Sequence, residues 1–334
     1  MLNSTAGQLG IFFSSLILSI AASIVMSYRI EQVGNALGVS EGLLGIVTAL
    51  GADSPEIAAA VTAISRGQHD IGLGVIFGSN IFNFAALLGL SAAMVGSIKM
   101  RRKGLVLDAS VALWVALMVA LQAIGWLSTL IAGLLLAGVV VPYIALFLLK
   151  RDQIERVTLL GGISGWLAEA VGGAREDARG DGPPSRPDKM DILSLFPLLV
   201  AIVLSSIGMV DTASTLGQRW NIPGAITGTL ILAGLTGIPN AVAAVQLARA
   251  GRGSAVATET LTSNTINTIV GGFVPLAILG VSQLSFESQL SITWLLGITA
   301  IAGILCFVQR GLTRLGGLVL IALYLGFAGV TIMT

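Results

Sequence analysis

Two segments 184 positions apart carry the same punctuation inside apolar sequence. The first runs Gly51-Ala52-Asp53-Ser54-Pro55-Glu56 and continues to Gly78-Ser79-Asn80-Ile81-Phe82-Asn83. The second runs Leu235-Thr236-Gly237-Ile238-Pro239-Asn240 and continues to Thr262-Ser263-Asn264-Thr265-Ile266-Asn267. Ala49, Pro55, Ala59, Ala60, Val61, Gly67, Ser79, Asn80 and Asn83 all match their partners at this offset without a gap. A duplication of this length means one folding unit used twice. Proline and acid inside apolar stretches mark where that unit departs from plain helix.

Composition sets the solvent. Of 334 residues, 55% are hydrophobic and 10% charged, where a soluble domain carries about 25% charge. The chain therefore reads as a polytopic membrane protein. A net charge of +1 argues against nucleic acid as a partner. The single cysteine, Cys306, excludes an internal disulfide and a cysteine metal cluster, and it reads as a packing residue. No Gly-rich nucleotide loop or Ser/His/Asp arrangement is present, so an enzyme is not expected.

A membrane span needs about 20 apolar residues, and in lipid its backbone must be helical. Spans are expected near 8–28, 35–65, 71–96, 105–122, 126–149, 191–211, 222–248, 255–280, 289–308 and 314–333. The second and seventh are expected to be interrupted at Pro55 and Pro239. The first apolar run reads as a span rather than a cleavable signal, since no basic region precedes it. With the N-terminus outside, all of the 18 Lys and Arg except Arg66 and Arg219 fall in cytoplasmic connections, as the positive-inside rule requires. Five spans per half is odd, so the halves are inverted. The expected fold is an all-α membrane protein of ten transmembrane helices, built as two inverted five-helix repeats with both termini outside. Residues 1–149 form one repeat and 191–334 the other. The stretch 150–190, with its Gly- and Pro-containing charged run, reads as a solvated cytoplasmic linker in which Ile154–Val171 is the candidate for a short interfacial helix.

The repeat has a chemistry. Pro55 and Gly51 loosen the second span, which is expected to free carbonyls there, that of Ala49 among them. Glu56 follows the proline near mid-span with no basic residue within about two turns, so a cation or proton must offset its burial. Asp53 precedes it by three residues. Two close buried acids repel, which favours a proton held by one of them. In the third span Ser79, Asn80 and Asn83 offer neutral oxygens on one side, suited to hard cations or to interhelical hydrogen bonds. The second copy changes the set: Asn240 replaces the glutamate, Thr236 and the carbonyl of Ala233 line the interruption, and Ser263, Asn264 and Asn267 repeat the triplet. Glu259 lies one turn before Ser263 and is either a site residue or an interfacial partner of Arg249 or Arg252. His69, Asp108 and Asp211 read as loop or interfacial residues. Duplicated halves with Pro- or Gly-interrupted helices point to the binding site of a secondary transporter.

These residues resemble the cation/calcium exchanger superfamily, whose repeats read roughly G-T-S-x-P-E followed by G-N-x-x-G-S-N-x-x-N/D. Gly51, Pro55, Glu56, Gly67, Asp70, Gly78, Ser79, Asn80 and Asn83 carry the match in the first half. The alpha repeats fall at about 35–95 and 219–279. The resemblance implies ion sites at Ala52, Asp53, Glu56, Ser79 and Asn83, and at Thr236, Gly237, Asn240, Ser263 and Asn267, with the carbonyls of Ala49 and Ala233 completing the shell. The chain departs from the pattern at Ala52, Asp53, Gly237, Asn240 and Glu259. The implied function is exchange of Ca²⁺, or another divalent cation, for Na⁺ or H⁺ by alternating access, with spans one and six moving against the rest. Alternatives are a proton-coupled exchanger of a different ion, a channel, or an ion-binding membrane scaffold. No cofactor is implied, since the cations are substrates. The expected setting is the plasma membrane, crossed many times by a monomer whose partners are inorganic cations and the bilayer.

Overall fold

The computed structural model describes residues 4–37, 41–149, 151–156, 163–177, 189–279 and 284–334. Helix α1 (Thr5–Ala36) is followed by two short helices in line, α2 (Glu41–Ala52) and α3 (Ser54–Ser65), separated at Asp53. Helix α4 (His69–Asn83) passes through a π-helical stretch, Phe84–Gly89, into α5 (Leu90–Val95). Strand β1 (Ser97–Lys99), α6 (Arg102–Ala123) and α7 (Thr129–Leu148) complete the first half. The short helices α8 (Arg151–Arg156) and α9 (Ser164–Asp177) lead to α10 (Lys189–Arg219). Then α11 (Gly224–Ile226) runs through a π-helical stretch, Thr227–Leu232, into α12 (Ala233–Arg249). Helix α13 (Gly253–Ile266) likewise runs through Asn267–Phe273 into α14 (Val274–Leu279). The chain ends with α15 (Phe286–Val308), β2 (Gly311–Thr313) and α16 (Arg314–Met333).

Nine helices among the described residues are long and apolar enough to cross a membrane, and the chain is a multi-pass integral membrane protein. They correspond to nine of the ten expected spans. The region of the other, 35–65, holds the two half-helices α2 and α3, each of 12 residues. Each half extends only about 18 Å at 1.5 Å per residue.

The offset that relates the sequence motifs also relates these elements. Helices α6 and α15 begin 184 positions apart, as do Gly67 and Gly251, which end α3 and α12 with positive φ of 73° and 76°. Both glycines bond back to the preceding turn, Gly67 to Ile64 and Gly251 to Ala248, each at 3.0 Å. The interruptions themselves are not alike. Pro239 sits inside a continuous α12, and the irregular turn lies upstream at Thr227–Leu232. The expected break at Pro239 is therefore absent, whereas the first copy breaks at Asp53.

The helix through His69–Val95 is the centre of the molecule: 94% of its membrane-length window is buried, against 22% for Met190–Arg219. It crosses the π-helical stretch of the second half backbone to backbone. A Cβ on Gly78 would lie 2.5 Å from the Cα of Thr229, and one on Gly228 would collide with the carbonyl of Ile71. Only glycine permits this approach. A small departure from the all-helical expectation is the antiparallel pair β1–β2, in which Ile98 faces Leu312 and which ties the end of α5 to the start of α16.

In the linker, the stretch expected as a candidate interfacial helix holds parts of α8 and α9. Ile154, Ala168, Ala170 and Val171 are buried, Glu169 is ion-paired with Lys103, and α9 lies against the start of α6, where the carbonyl of Ala170 adjoins Gly104. Residues 178–188, including the Gly- and Pro-containing run, lie outside the described residues.

Candidate functional site

The break between α2 and α3 begins with Pro55, which has no amide to offer the carbonyl of Gly51. That carbonyl is met by the hydroxyls of Ser54 at 2.6 Å and Ser23 at 2.9 Å, and Ser23 also reaches the carbonyl of Ala52 at 3.0 Å. The carbonyl of Ala49, expected to be freed, accepts the Asp53 amide at 2.9 Å. The disturbance thus falls on Gly51 and Ala52, two residues further along, because proline strands the fourth residue before it. In the second half the carbonyls of Leu232 and Ala233 face the Thr236 hydroxyl, at 2.9 and 3.4 Å.

The break places two carboxylates in the protein interior. Asp53 and Glu56 are each 1% exposed, on a turn that aims both between the halves. Asp53 Oδ1 accepts from the Asn240 amide at 3.2 Å, and the Ser263 hydroxyl lies within hydrogen-bonding reach of the same carboxylate. Glu56 takes its own backbone amide and adjoins the hydroxyl of Thr236. Each acid keeps one oxygen with no hydrogen-bond partner, Oδ2 of Asp53 and Oε2 of Glu56. Neither forms an ion pair with a described Lys or Arg. A buried carboxylate oxygen with neither donor nor cation is costly, so these two atoms mark where positive charge belongs.

Asn83 is the neutral companion. Its amide donates to Asn264 Oδ1 at 3.0 Å and to Ser263 Oγ at 3.4 Å, which leaves its own Oδ1 unpartnered. The amide's donors are thus turned toward the second half and its acceptor is left for a ligand. Ser79 and Thr236 spend their hydroxyl protons on backbone carbonyls, of Ile76 at 3.1 Å and Leu232 at 2.9 Å, and so present lone pairs elsewhere. Gly237 is held small by Phe82: a Cβ there would lie 2.8 Å from the ring and 4.0 Å from Asn83 Oδ1. Among the described residues no three of His, Cys, Asp and Glu form a ligand set. A cation here would need carboxylate and neutral oxygens together, as hard cations accept.

Asn80 and Asn264 play a different part. The amide of Asn80 donates to the carbonyl of Asn264 at 3.2 Å, and the amide of Asn264 returns the bond to the carbonyl of Asn80 at 3.1 Å. The two residues stand at the repeat offset and exchange identical bonds, as a pair straddling a two-fold axis must. Asn267 is fully buried with neither amide atom partnered. Glu259 is half-buried, within electrostatic reach of both Asp53 and Arg252. The structure therefore brings Asp53, Glu56, Asn83, Thr236, Asn240 and Ser263 together. Ala49 and Ala233 stay engaged in or beside helix bonds.

Two features escaped the motif. Ser23 belongs to α1, outside either alpha repeat; its signal is the spacing of Ser15, Ser19, Ser23 and Ser27 along one face. Asp108, expected at the interface, is 3% exposed and bonded to two hydroxyls. Asp211 does lie at the surface, ion-paired with Arg66.

The sequence matches the family described as sodium/calcium exchanger protein over residues 7–149 and 191–333, most of its length. The chain belongs to that family. Among curated relatives, a putative antiporter CaxA of Alkalimonas amylolytica is 34% identical over 84 residues, 25% of this chain and 26% of that protein. The inner membrane protein YrbG of Escherichia coli is 35% identical over 78 residues, 23% of this chain and 24% of its own length. The match to sodium/potassium/calcium exchanger 1 of Gallus gallus covers 22% of this chain and 11% of that protein, at 34% identity. The chain thus matches about a quarter or less of each of these relatives. Among solved structures, the H⁺/Ca²⁺ exchanger CAX superposes with a TM-score of 0.70 at 14% identity, covering 98% of this chain and 86% of that one. The sodium-calcium exchanger NCX_Mj gives 0.57 at 19% identity, covering 96% and 97%. These two share the fold of this chain.

Proposed function

We propose that the chain is a secondary active cation antiporter, exchanging Ca²⁺ or another divalent cation for Na⁺ or H⁺ by alternating access across the plasma membrane. The observation that carries this reading is the pair of unpartnered carboxylate oxygens on Asp53 and Glu56, buried between the halves beside the free Oδ1 of Asn83. In this reading α2 and α3 together form a tenth span, the halves are inverted five-helix repeats, both termini lie outside, and the protein works as a monomer in the bilayer. Asp53, Glu56, Asn83, Thr236 and Ser263 hold the cation. Removing the Glu56 charge leaves too little negative charge to offset a divalent ion. Glu56→Gln should therefore abolish gradient-driven ⁴⁵Ca²⁺ uptake into proteoliposomes. Uptake that is equal with and without a Na⁺ or pH gradient would refute the coupling.

A second reading follows from Asn240, which donates a hydrogen bond to Asp53 where the resemblance has an acid. With Asp53 standing where the resemblance has a serine, both negative charges sit in one half as adjacent acids, which favours a proton shared there and a proton-coupled exchanger of a different, less charged ion. A panel of cations under separate Na⁺ and pH gradients distinguishes the two: exchange of a monovalent ion in the absence of any divalent flux selects the second.

A further inference from the structure

Asp108 is a buried carboxylate that the cation pocket does not use. Tyr143 on α7 donates its phenolic proton to Oδ1 at 2.9 Å, and Thr258 on α13 donates to Oδ2 at 3.1 Å. Among the described residues it forms no ion pair. An intramembrane carboxylate held only by neutral hydroxyls is expensive and needs a reason.

The repeat supplies an internal control. At the offset of 184, Asp108 corresponds to Ile292 and Tyr143 to Phe327, both buried and apolar. Thr258 and Thr262 correspond to Gly74 and Gly78, the glycines against which the second half packs. The same scaffold position is therefore filled by apolar packing in one half and by an acid with its hydroxyls in the other. The fold does not require the acid.

Its location suggests what does. Asp108 lies about a turn and a half from the start of α6, Thr258 the same from the start of α13, and Tyr143 the same from the end of α7. The starts of α6 and α13 adjoin, since the Arg101 amide donates to Ser254 at 3.2 Å. This is the end of the molecule that carries Lys99, Arg101, Arg102 and Lys103. From there α13 leads inward: Thr258 adjoins Glu259, and Thr262, within reach of Tyr143, adjoins Ser263 beside Asp53.

Among the described side chains, the titratable ones on elements against α6 are Tyr143 on α7, Arg252 and Glu259 at and on α13, Glu169 on α9, and Glu287 and Cys306 on α15. The stretch Asn267–Phe273 contributes none. Glu169 is ion-paired with Lys103. Of this set, Tyr143 is the one that hydrogen-bonds Asp108.

We propose that Asp108 is a proton-binding station on the basic side of the protein, separate from the cation pocket, whose protonation sets the hydroxyl of Thr258 and through it the position of α13. This rests on the antiporter reading above. As a carboxylate, Asp108 accepts from both hydroxyls. On taking a proton from the aqueous side at one oxygen it becomes a donor, so one hydroxyl must turn and accept. Losing the proton to the same side restores the first arrangement.

Asp108→Asn tests this, because the amide keeps the shape and both bonds while removing the titration. In proteoliposomes the variant should lose the pH step of cation exchange, the ratio of rates in mildly acidic and mildly alkaline medium collapsing towards unity. A wild-type pH profile in a folded Asp108→Asn protein overturns the proposal. If that variant fails to fold, infrared difference spectroscopy across pH decides: a carboxyl C=O band of the otherwise wild-type protein should shift in Thr258→Val and in Tyr143→Phe. No band shift in either variant overturns it. Loss of the antiporter reading would appear separately, as undiminished transport in Glu56→Gln.

Discussion

A helix interrupted by proline leaves carbonyls to satisfy, and at this break the hydroxyl of Ser23 meets two of them, on Gly51 and Ala52. In lipid no water takes over when that hydroxyl is removed. Ser23→Ala should therefore cost about 1–3 kcal/mol, read as a lower midpoint of thermal unfolding in detergent, with α1 loosened from the break. An unchanged midpoint would mean that the carbonyls of Gly51 and Ala52 do not depend on Ser23. At this scale the acids and Asn83 were legible in the sequence, because a carboxylate or amide inside an apolar run stands out. Ser23 was not, since a serine in a membrane helix ordinarily bonds its own backbone. Asp108 was misread as interfacial because its distance along the chain from a basic cluster says nothing of the two hydroxyls that α7 and α13 fold over it.

Among the elements, the central helix is held by its glycines. A methyl group on Gly78 would lie 2.5 Å from the Thr229 Cα and 2.6 Å from its carbonyl oxygen, both backbone atoms that cannot rotate away. Gly78→Ala should cost at least the 1–3 kcal/mol typical of overpacking and lower the yield of monodisperse protein on size exclusion. Gly234→Ala, where a Cβ meets nothing within 4 Å, should leave the yield intact. Span positions were legible because hydropathy and length fix them. The helical break was legible in the first copy and misplaced in the second. Proline licenses an interruption without demanding one, and in α12 the irregular turn moved to the Thr227–Leu232 stretch that crosses α4.

At the scale of the whole molecule, α1 and α10 lie along each other and touch the core along one side only, with 33% and 22% of their membrane windows buried. If they move as one body during exchange, joining them should be tolerated. A Cβ on Gly208 would lie 3.6 Å from that of Ser15, within the range that a disulfide spans. The double variant Ser15→Cys/Gly208→Cys, oxidised, should retain cation exchange in proteoliposomes. Loss of exchange that returns on reduction would show that the two helices slide against each other. Cys306 is buried and does not compete for the bridge.

The reciprocal bonds of Asn80 and Asn264 bear on the alternating access proposed above. The two reciprocal bonds are the same after the two halves trade conformations, so they can serve as a pivot while the partners around them change. The halves do differ now, one broken at Asp53 and the other continuous through Pro239. Trading those shapes about the asparagine pair gives a second structure at the cost of no bond within the pair. The side of the membrane to which the acids open would then be a choice between two mirror assignments of one asymmetry.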